Sequence, residues 1–114
     1  MALSVGIDLI EIERMERALE RRPRLANRLF TPAELAYARE RARPGRHLAA
    51  RFAAKEAVIK ALGQGVPLRQ IEVVSGEPPT LRLHGQAAEA AGDAEIAISL
   101  THSRESAAAI AVAT

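Results

Sequence analysis

Arg51-Phe-Ala-Ala-Lys-Glu-Ala-Val-Ile-Lys-Ala-Leu-Gly63 sets four charges into a segment that otherwise reads as a buried helix. A helix that is apolar nearly all round lies in an interior, and a charge there needs a partner or a ligand. At about 100° per residue Phe52, Glu56, Ile59 and Lys60 share one broad face, with Glu56 and Lys60 at i, i+4. Arg51 falls on a different face. Lys55 lies away from Lys60 and reads as a surface lysine whose stem snorkels to solvent. An ordinary ion pair would satisfy a lone Glu-x-x-x-Lys, so the question is what else in the chain joins it.

Two other apolar runs carry isolated polar groups. Val5-Gly-Ile-Asp-Leu-Ile10 holds Asp8 inside an apparent strand, and Ile98-Ser-Leu-Thr-His-Ser103 ends another in hydroxyls and the His102 imidazole. Three polar intrusions into three apolar elements point to one convergent site.

Outward from the central helix, which is predicted from about Arg46 to Leu62, Gly63 is a C-terminal stop and Pro44-Gly45 a break. Thr31, Pro32 and Glu34 form a capping-box start for a helix running toward Arg41. Residues 2 to 9 read as a strand, followed by a charged amphipathic helix from Glu11 to Arg22 that Pro23 closes. Ile71 to Val74 and Thr80 to Leu83 read as short strands, and Gly85 to Gly92 as a short helix. Ala94 to Thr101 and Ala107 to Ala113 are expected to pair as an antiparallel hairpin. Helices grouped in mid-chain with strands at both ends argue for an α+β fold: one domain over residues 1–114, a mostly antiparallel sheet packed on the long central helix and shorter helices.

With 114 residues and 48% hydrophobic content the chain can bury a core without staples, and it has no cysteine for disulfide or thiolate chemistry. No apolar run approaches the roughly 20 residues of a bilayer span and no signal-peptide start is visible, so a cytoplasmic protein that uses no membrane is expected. The net charge of +2 hides an asymmetry: residues 1–63 hold 13 Lys and Arg against 8 Asp and Glu, and residues 64–114 hold 3 against 6. Arg14, Arg17, Arg21, Arg22, Arg24 and Arg28 crowd one region, which can steer an acidic partner or simply be a solvated helix face. Nucleic acid is the rival partner for a basic surface, but one Tyr, two Phe and no Trp leave little to stack bases on, and no nucleic-acid partner is expected.

Gly6-Ile-Asp-Leu-Ile-Glu11, the core Phe-Ala-Ala-Lys-Glu-Ala within Arg51 to Gly63, and Ser99 to Ala108 occur in order over nearly the whole chain. Together they resemble the three motifs of the small bacterial 4'-phosphopantetheinyl transferases, the holo-acyl-carrier-protein synthases. Ser106 departs from the aromatic residue that many relatives carry after the His. The resemblance implies the fold of that family and transfer of phosphopantetheine from coenzyme A to a serine of an apo acyl carrier protein, releasing adenosine 3',5'-bisphosphate. It implies Asp8 and Glu56 as ligands of Mg²⁺, with Lys60 as a third catalytic residue on the pyrophosphate. Without it, two structural carboxylates would be the better reading of Asp8 and Glu56.

It further implies coenzyme A contacts from Arg51, Lys60, His102, Thr101 and Ser103. Arg14, with Arg24 and Leu25 beside it, would grip the acidic helix of the carrier. Relatives form homotrimers, for which the alternating hairpin at 94 to 113 would offer a contact surface. The competing reading is a non-catalytic basic module that binds an acidic protein or a nucleotide; it needs the arginines but neither carboxylate.

Overall fold

A computed structural model describes residues 2–114 of the chain. The elements run β1 (Ser4–Glu11), α1 (Ile12–Arg21), α2 (Leu25–Leu29), α3 (Pro32–Arg39), α4 (Pro44–Leu62), β2 (Ile71–Val74), β3 (Thr80–Leu83), α5 (Gly85–Ala91), β4 (Ile96–His102) and β5 (Ser106–Ala113), with a 3-10 turn at Leu68–Gln70. The fold is α+β. One antiparallel sheet has the order β1-β5-β4 and a two-stranded one pairs β2 with β3.

The capping box at Thr31 and Glu34 forms as the sequence implies, and Gly63 ends α4 with φ 70°, in the left-handed region that favours glycine. Pro44 is a correction. It does not break the chain but occupies the first turn of α4, where its fixed φ suits the helix and its missing N–H costs nothing. The five-residue α2 has no sequence signature, being too short for a periodic pattern.

Alanine sets how closely α4 approaches the sheet. Ala53, Ala54, Ala57 and Ala61 of the helix are buried, as are Ala109, Ala111 and Ala113 of β5 opposite. Gly6 carries this furthest: a Cβ there would lie 1.8 Å from the Ala57 carbonyl oxygen and 2.9 Å from the Ala61 nitrogen. Both are backbone atoms that no rotamer change can move aside. Gly6→Ala should therefore destabilise the fold by about 3 kcal/mol, at the upper end of ordinary overpacking. An unchanged denaturant midpoint would show that β1 can move off the helix at no cost.

Pleating sorts β1 into two faces. Gly6, Asp8 and Ile10 turn toward α4, and Val5, Ile7 and Leu9 turn outward and are exposed, Ile7 at 64%. The register places Val5 opposite Val112, Ile7 opposite Ile110 and Leu9 opposite Ala108. The uncovered apolar face thus centres on β1 and β5, rather than on the β4–β5 hairpin as expected. On β4 the same face carries Ala97, Ser99 and Thr101.

Lys55 is the second correction, since it is wholly buried instead of reaching solvent. Its Nζ donates to Glu34 Oε1 at 2.8 Å and to the carbonyls of Leu68 (3.1 Å) and Ile71 (2.7 Å). The Glu34 carboxylate also accepts from the N–H groups of Thr31 and Val73, each at 2.8 Å. One buried ion pair so ties α3, α4, β2 and the 3-10 turn together. Burial lowers the Lys55 pKa, and the neighbouring Glu34 carboxylate opposes that.

Candidate active site

Asp8 and Glu56 meet because β1 crosses α4 at the Gly6 notch: Asp8 follows Gly6 on the same face of the strand, and Glu56 immediately precedes Ala57, whose carbonyl forms the notch. They line a common cleft of about 370 Å³ with Ile10, Arg14, Leu25 and Phe52. Lys60, one helical turn after Glu56, donates from Nζ to the Ile7 carbonyl at 2.8 Å and to Asp8 Oδ1 at 3.4 Å. Its side chain is 54% exposed, so the ammonium is free to swing onto a ligand. Burial and then the Asp8 carboxylate raise the Glu56 pKa, while Lys60 opposes them. Two carboxylates face one cleft with the mobile Lys60 ammonium beside Asp8 and Arg14 in the lining, and burial together with mutual repulsion makes further positive charge welcome there.

Among the described residues no group of three or more His, Cys, Asp and Glu gathers as a ready metal cage. A pair of carboxylates nonetheless fits Mg²⁺, which keeps several waters and takes further oxygens from a substrate phosphate. Glu56 and Asp8 supply hard oxygens, and their mutual repulsion is what a divalent cation would relieve.

Arg51 and His102 do not line this cleft. Five residues separate Arg51 from Glu56, about 140° around the helix, and Arg51 is turned toward α3 instead. There its guanidinium lies 4.0 Å from the centre of the Tyr37 ring, and Arg41 covers the ring as well at 3.7 Å. His47 packs edge-on to Tyr37, and His102 edge-on to His47. Burial first, and then Arg46, Arg51, Arg41 and His102, lower the His47 pKa. Among the described residues the buried Nε atoms of Arg46 and Arg51 have no acceptor. Such orphaned donors among clustered cations favour an anion. Tyr37, Arg41 and His47 went unnoticed in the sequence, although Tyr37/Arg41 and His47/Arg51 are both i, i+4 pairs.

Thr101 is exposed on the outer sheet face in the row of Leu9 and Ala108. Ser103 is engaged locally: its Oγ accepts from the N–H groups of Glu105 and Ser106 and shapes the β4–β5 turn. Arg14 and Leu25 sit at the Asp8–Glu56 cleft, and Arg24 flanks an adjoining depression with Arg22, Pro23, Leu25 and Arg28. Phe52, Met15 and Ala18 complete the apolar wall beside Arg14. No described helix is long and apolar enough to cross a membrane.

Comparison with known proteins places this geometry in context. Residues 4–113 match the model of the 4'-phosphopantetheinyl transferase superfamily. A holo-[acyl-carrier-protein] synthase of Moorella thermoacetica is 51% identical, over 96% of this chain and 92% of the relative. That of Alkaliphilus metalliredigens is 46% identical over the full length of both. Among solved structures, the Chronobacterium ammoniagenes ACPS–CoA complex superposes with a TM-score of 0.87 at 32% identity, covering 99% of this chain and 97% of the other. A Bacillus anthracis holo-(acyl-carrier-protein) synthase, in complex with CoA (3',5'-ADP), gives a TM-score of 0.80 at 32% identity, covering 98% and 97%.

Proposed function

Because the chain belongs to the 4'-phosphopantetheinyl transferase superfamily, we infer that it transfers phosphopantetheine from coenzyme A to a serine of an apo acyl carrier protein. The products are the holo carrier and adenosine 3',5'-bisphosphate. The observation that carries the reading is the convergence of Asp8 and Glu56 in one cleft that Arg14 also lines, with Lys60 paired to Asp8 beside it. A binding module would have no use for two carboxylates in a basic surface.

In the reaction the carrier serine oxygen attacks the β-phosphorus of coenzyme A, the bond from that phosphorus to the bridging oxygen of the pyrophosphate breaks, and the serine hydroxyl proton is released to water. Phosphoryl chemistry of this kind demands alignment and charge neutralisation. Asp8 and Glu56 are the residues that would hold Mg²⁺, which when bound neutralises pyrophosphate charge and polarises the attacked phosphorus. The Lys60 ammonium exchanges the Ile7 carbonyl for a phosphate oxygen. Arg14 and Leu25, with Arg24 alongside, dock the carrier by charge and a modest apolar contact. Mass spectrometry of an apo carrier incubated with coenzyme A and Mg²⁺ tests the activity: addition of one phosphopantetheine is expected, and an unmodified carrier overturns it.

The Arg51 cluster suits the nucleotide end of coenzyme A, with His102 beside it and Thr101 and Ser103 on the strand end and turn that frame it. Since Arg51 and Glu56 point about 140° apart on one helix, the two ends of the coenzyme would be held by different copies of the chain. The outer face of Val5, Ile7, Leu9 and Ile110 supplies the surface for a homotrimer, with residues 1–114 acting as one transferase domain in each copy. Ile7→Lys is then expected to yield a folded monomer that has lost at least tenfold in activity, as read by analytical ultracentrifugation beside the assay. A monomer with full activity would dismiss both the trimer and the shared site.

A further inference from the structure

His102 reaches the Arg51 cluster from the end of β4, the edge strand of the order β1-β5-β4, and its side chain is exposed there. It meets His47, in the first turn of α4, with the ring centres 6.3 Å apart. Turns are the most mobile parts of a sheet, so the place of the imidazole depends on what holds the turn at 103–105 behind it. Two hydrogen bonds from elsewhere in the chain reach that turn. The Ile12 N–H, at the start of α1, donates to the Glu105 carbonyl at 2.8 Å, and Arg43 Nη1 donates to the Arg104 carbonyl at 3.1 Å.

Arg43, just ahead of α4, is itself aimed by Glu16 of α1. Its Nε donates to Glu16 Oε2 at 3.1 Å and its Nη2 to Glu16 Oε1 at 2.9 Å, a two-pronged geometry that fixes the guanidinium plane. Nη1, the remaining corner, then faces the turn. Glu16 can lie there because residue 45 is glycine: a Cβ at Gly45 would come within 2.3 Å of Glu16 Cγ and 2.7 Å of Glu16 Oε2. Glycine in a helix gives up stability that alanine would supply, and here the space it leaves is filled by the Glu16 side chain.

Stability is a poor account of this arrangement. The Arg43 and Glu16 side chains are 39% and 31% exposed, and ion pairs so open to water contribute little to folding. What the pair does is set direction, carrying a fixed position from α1 to the turn beside His102. We propose that Glu16 is a positioning residue for coenzyme A: through Arg43 it holds the β4–β5 turn so that His102 stays against His47 at the nucleotide end of the site. This rests on the reading of the Arg51 cluster given above. Because Arg14 lies on the same helix, a merely structural loosening of α1 would disturb carrier docking as well, whereas the positioning role affects the coenzyme alone.

The test measures binding of adenosine 3',5'-bisphosphate by titration calorimetry, beside the KM values of both substrates. Glu16→Gln removes the charge; Gly45→Ala displaces the carboxylate while altering no charge and favouring the helix. Glu13→Gln is the control, since Glu13 pairs with Arg17 within α1. Losing one charge-assisted contact in Glu16→Gln or Gly45→Ala should raise the Kd for the bisphosphate and the KM for coenzyme A about fivefold. In both variants kcat and the carrier KM should stay within twofold, and Glu13→Gln should behave as the wild type. A wild type that binds no bisphosphate, or an Arg51→Gln variant that binds it equally well, defeats the reading of the cluster and the proposal with it. If Arg51→Gln weakens binding, four results defeat the Glu16 role alone: a Kd within twofold of the wild type in either variant, a carrier KM that rises as far as that for coenzyme A, an equal loss in Glu13→Gln, or tighter binding. The last would make the freed Arg43 a phosphate ligand that Glu16 withholds.

Discussion

Glu56→Gln should lower turnover of carrier protein by at least a hundredfold while leaving the melting temperature within a few degrees of the wild type. The amide keeps the volume and the place of the carboxylate on α4, so the packing against Phe52 and β1 persists. What disappears is one of the two negative charges in the cleft, and with it the hard oxygen that would hold a divalent cation beside Asp8. Loss of one preorganised electrostatic contact to a transition state costs about 10²–10³ in rate. Because burial and Asp8 both disfavour the charged form of Glu56, the neutral amide should if anything be easier to accommodate than the carboxylate. Equilibrium titration with Mg²⁺ alone separates the role from general damage: affinity should fall in Glu56→Gln and in Asp8→Asn. Retention of both turnover and Mg²⁺ affinity in the two variants would remove these carboxylates from the site.

Lys55→Met is expected to be the most destabilising single change on α4, by about 3–5 kcal/mol, the range for breaking a buried pair by removing one partner. For a chain of this size that lowers Tm by roughly 15–20 °C. Methionine fills the space, so the cost is electrical. Glu34 is left wholly buried with its cation gone, and the carbonyls of Leu68 and Ile71 lose their donor. Adding Glu34→Leu should not restore stability, as it can for an isolated buried pair, because the N–H groups of Thr31 and Val73 would then be orphaned too. Thermal unfolding of the single and double variants decides it. A loss under 1 kcal/mol in Lys55→Met would make the pair dispensable.

The contrast between Lys55 and Lys60 shows where sequence reading succeeds and where it stops. Both lie in the same apolar helix five residues apart. Periodicity placed Lys60 with Glu56 correctly, and the same reasoning detached Lys55 from them. It could not say what lay on the other face, because the partner, Glu34, is 21 residues away and had been read only as the closing residue of a capping box. Glu34 does both jobs, a coincidence that no local window contains. Asp8, Glu56 and Lys60 were legible because each polar residue interrupts an apolar run and because the three motifs resemble one family. The Arg51 cluster was not, since Tyr37, Arg41 and His47 are ordinary residues of amphipathic helices until α3 and α4 are packed together. The same limit explains the apolar face: alternation in β1, β4 and β5 predicts two-faced strands, but only the strand order β1-β5-β4 tells which rows join into a continuous surface.

Tyr37 carries an optical consequence. The chain contains no tryptophan and this single tyrosine, whose ring is enclosed by the guanidinium groups of Arg41 and Arg51. Emission on excitation near 275 nm therefore comes from one phenol at the anion cluster, against the faint background of two phenylalanines. The protein possesses a built-in chromophore at the proposed nucleotide-binding end of its coenzyme site. Near-ultraviolet difference spectra could follow ligand arrival there without a label, and silent Asp8 or Glu56 chemistry at the other end would leave them unchanged.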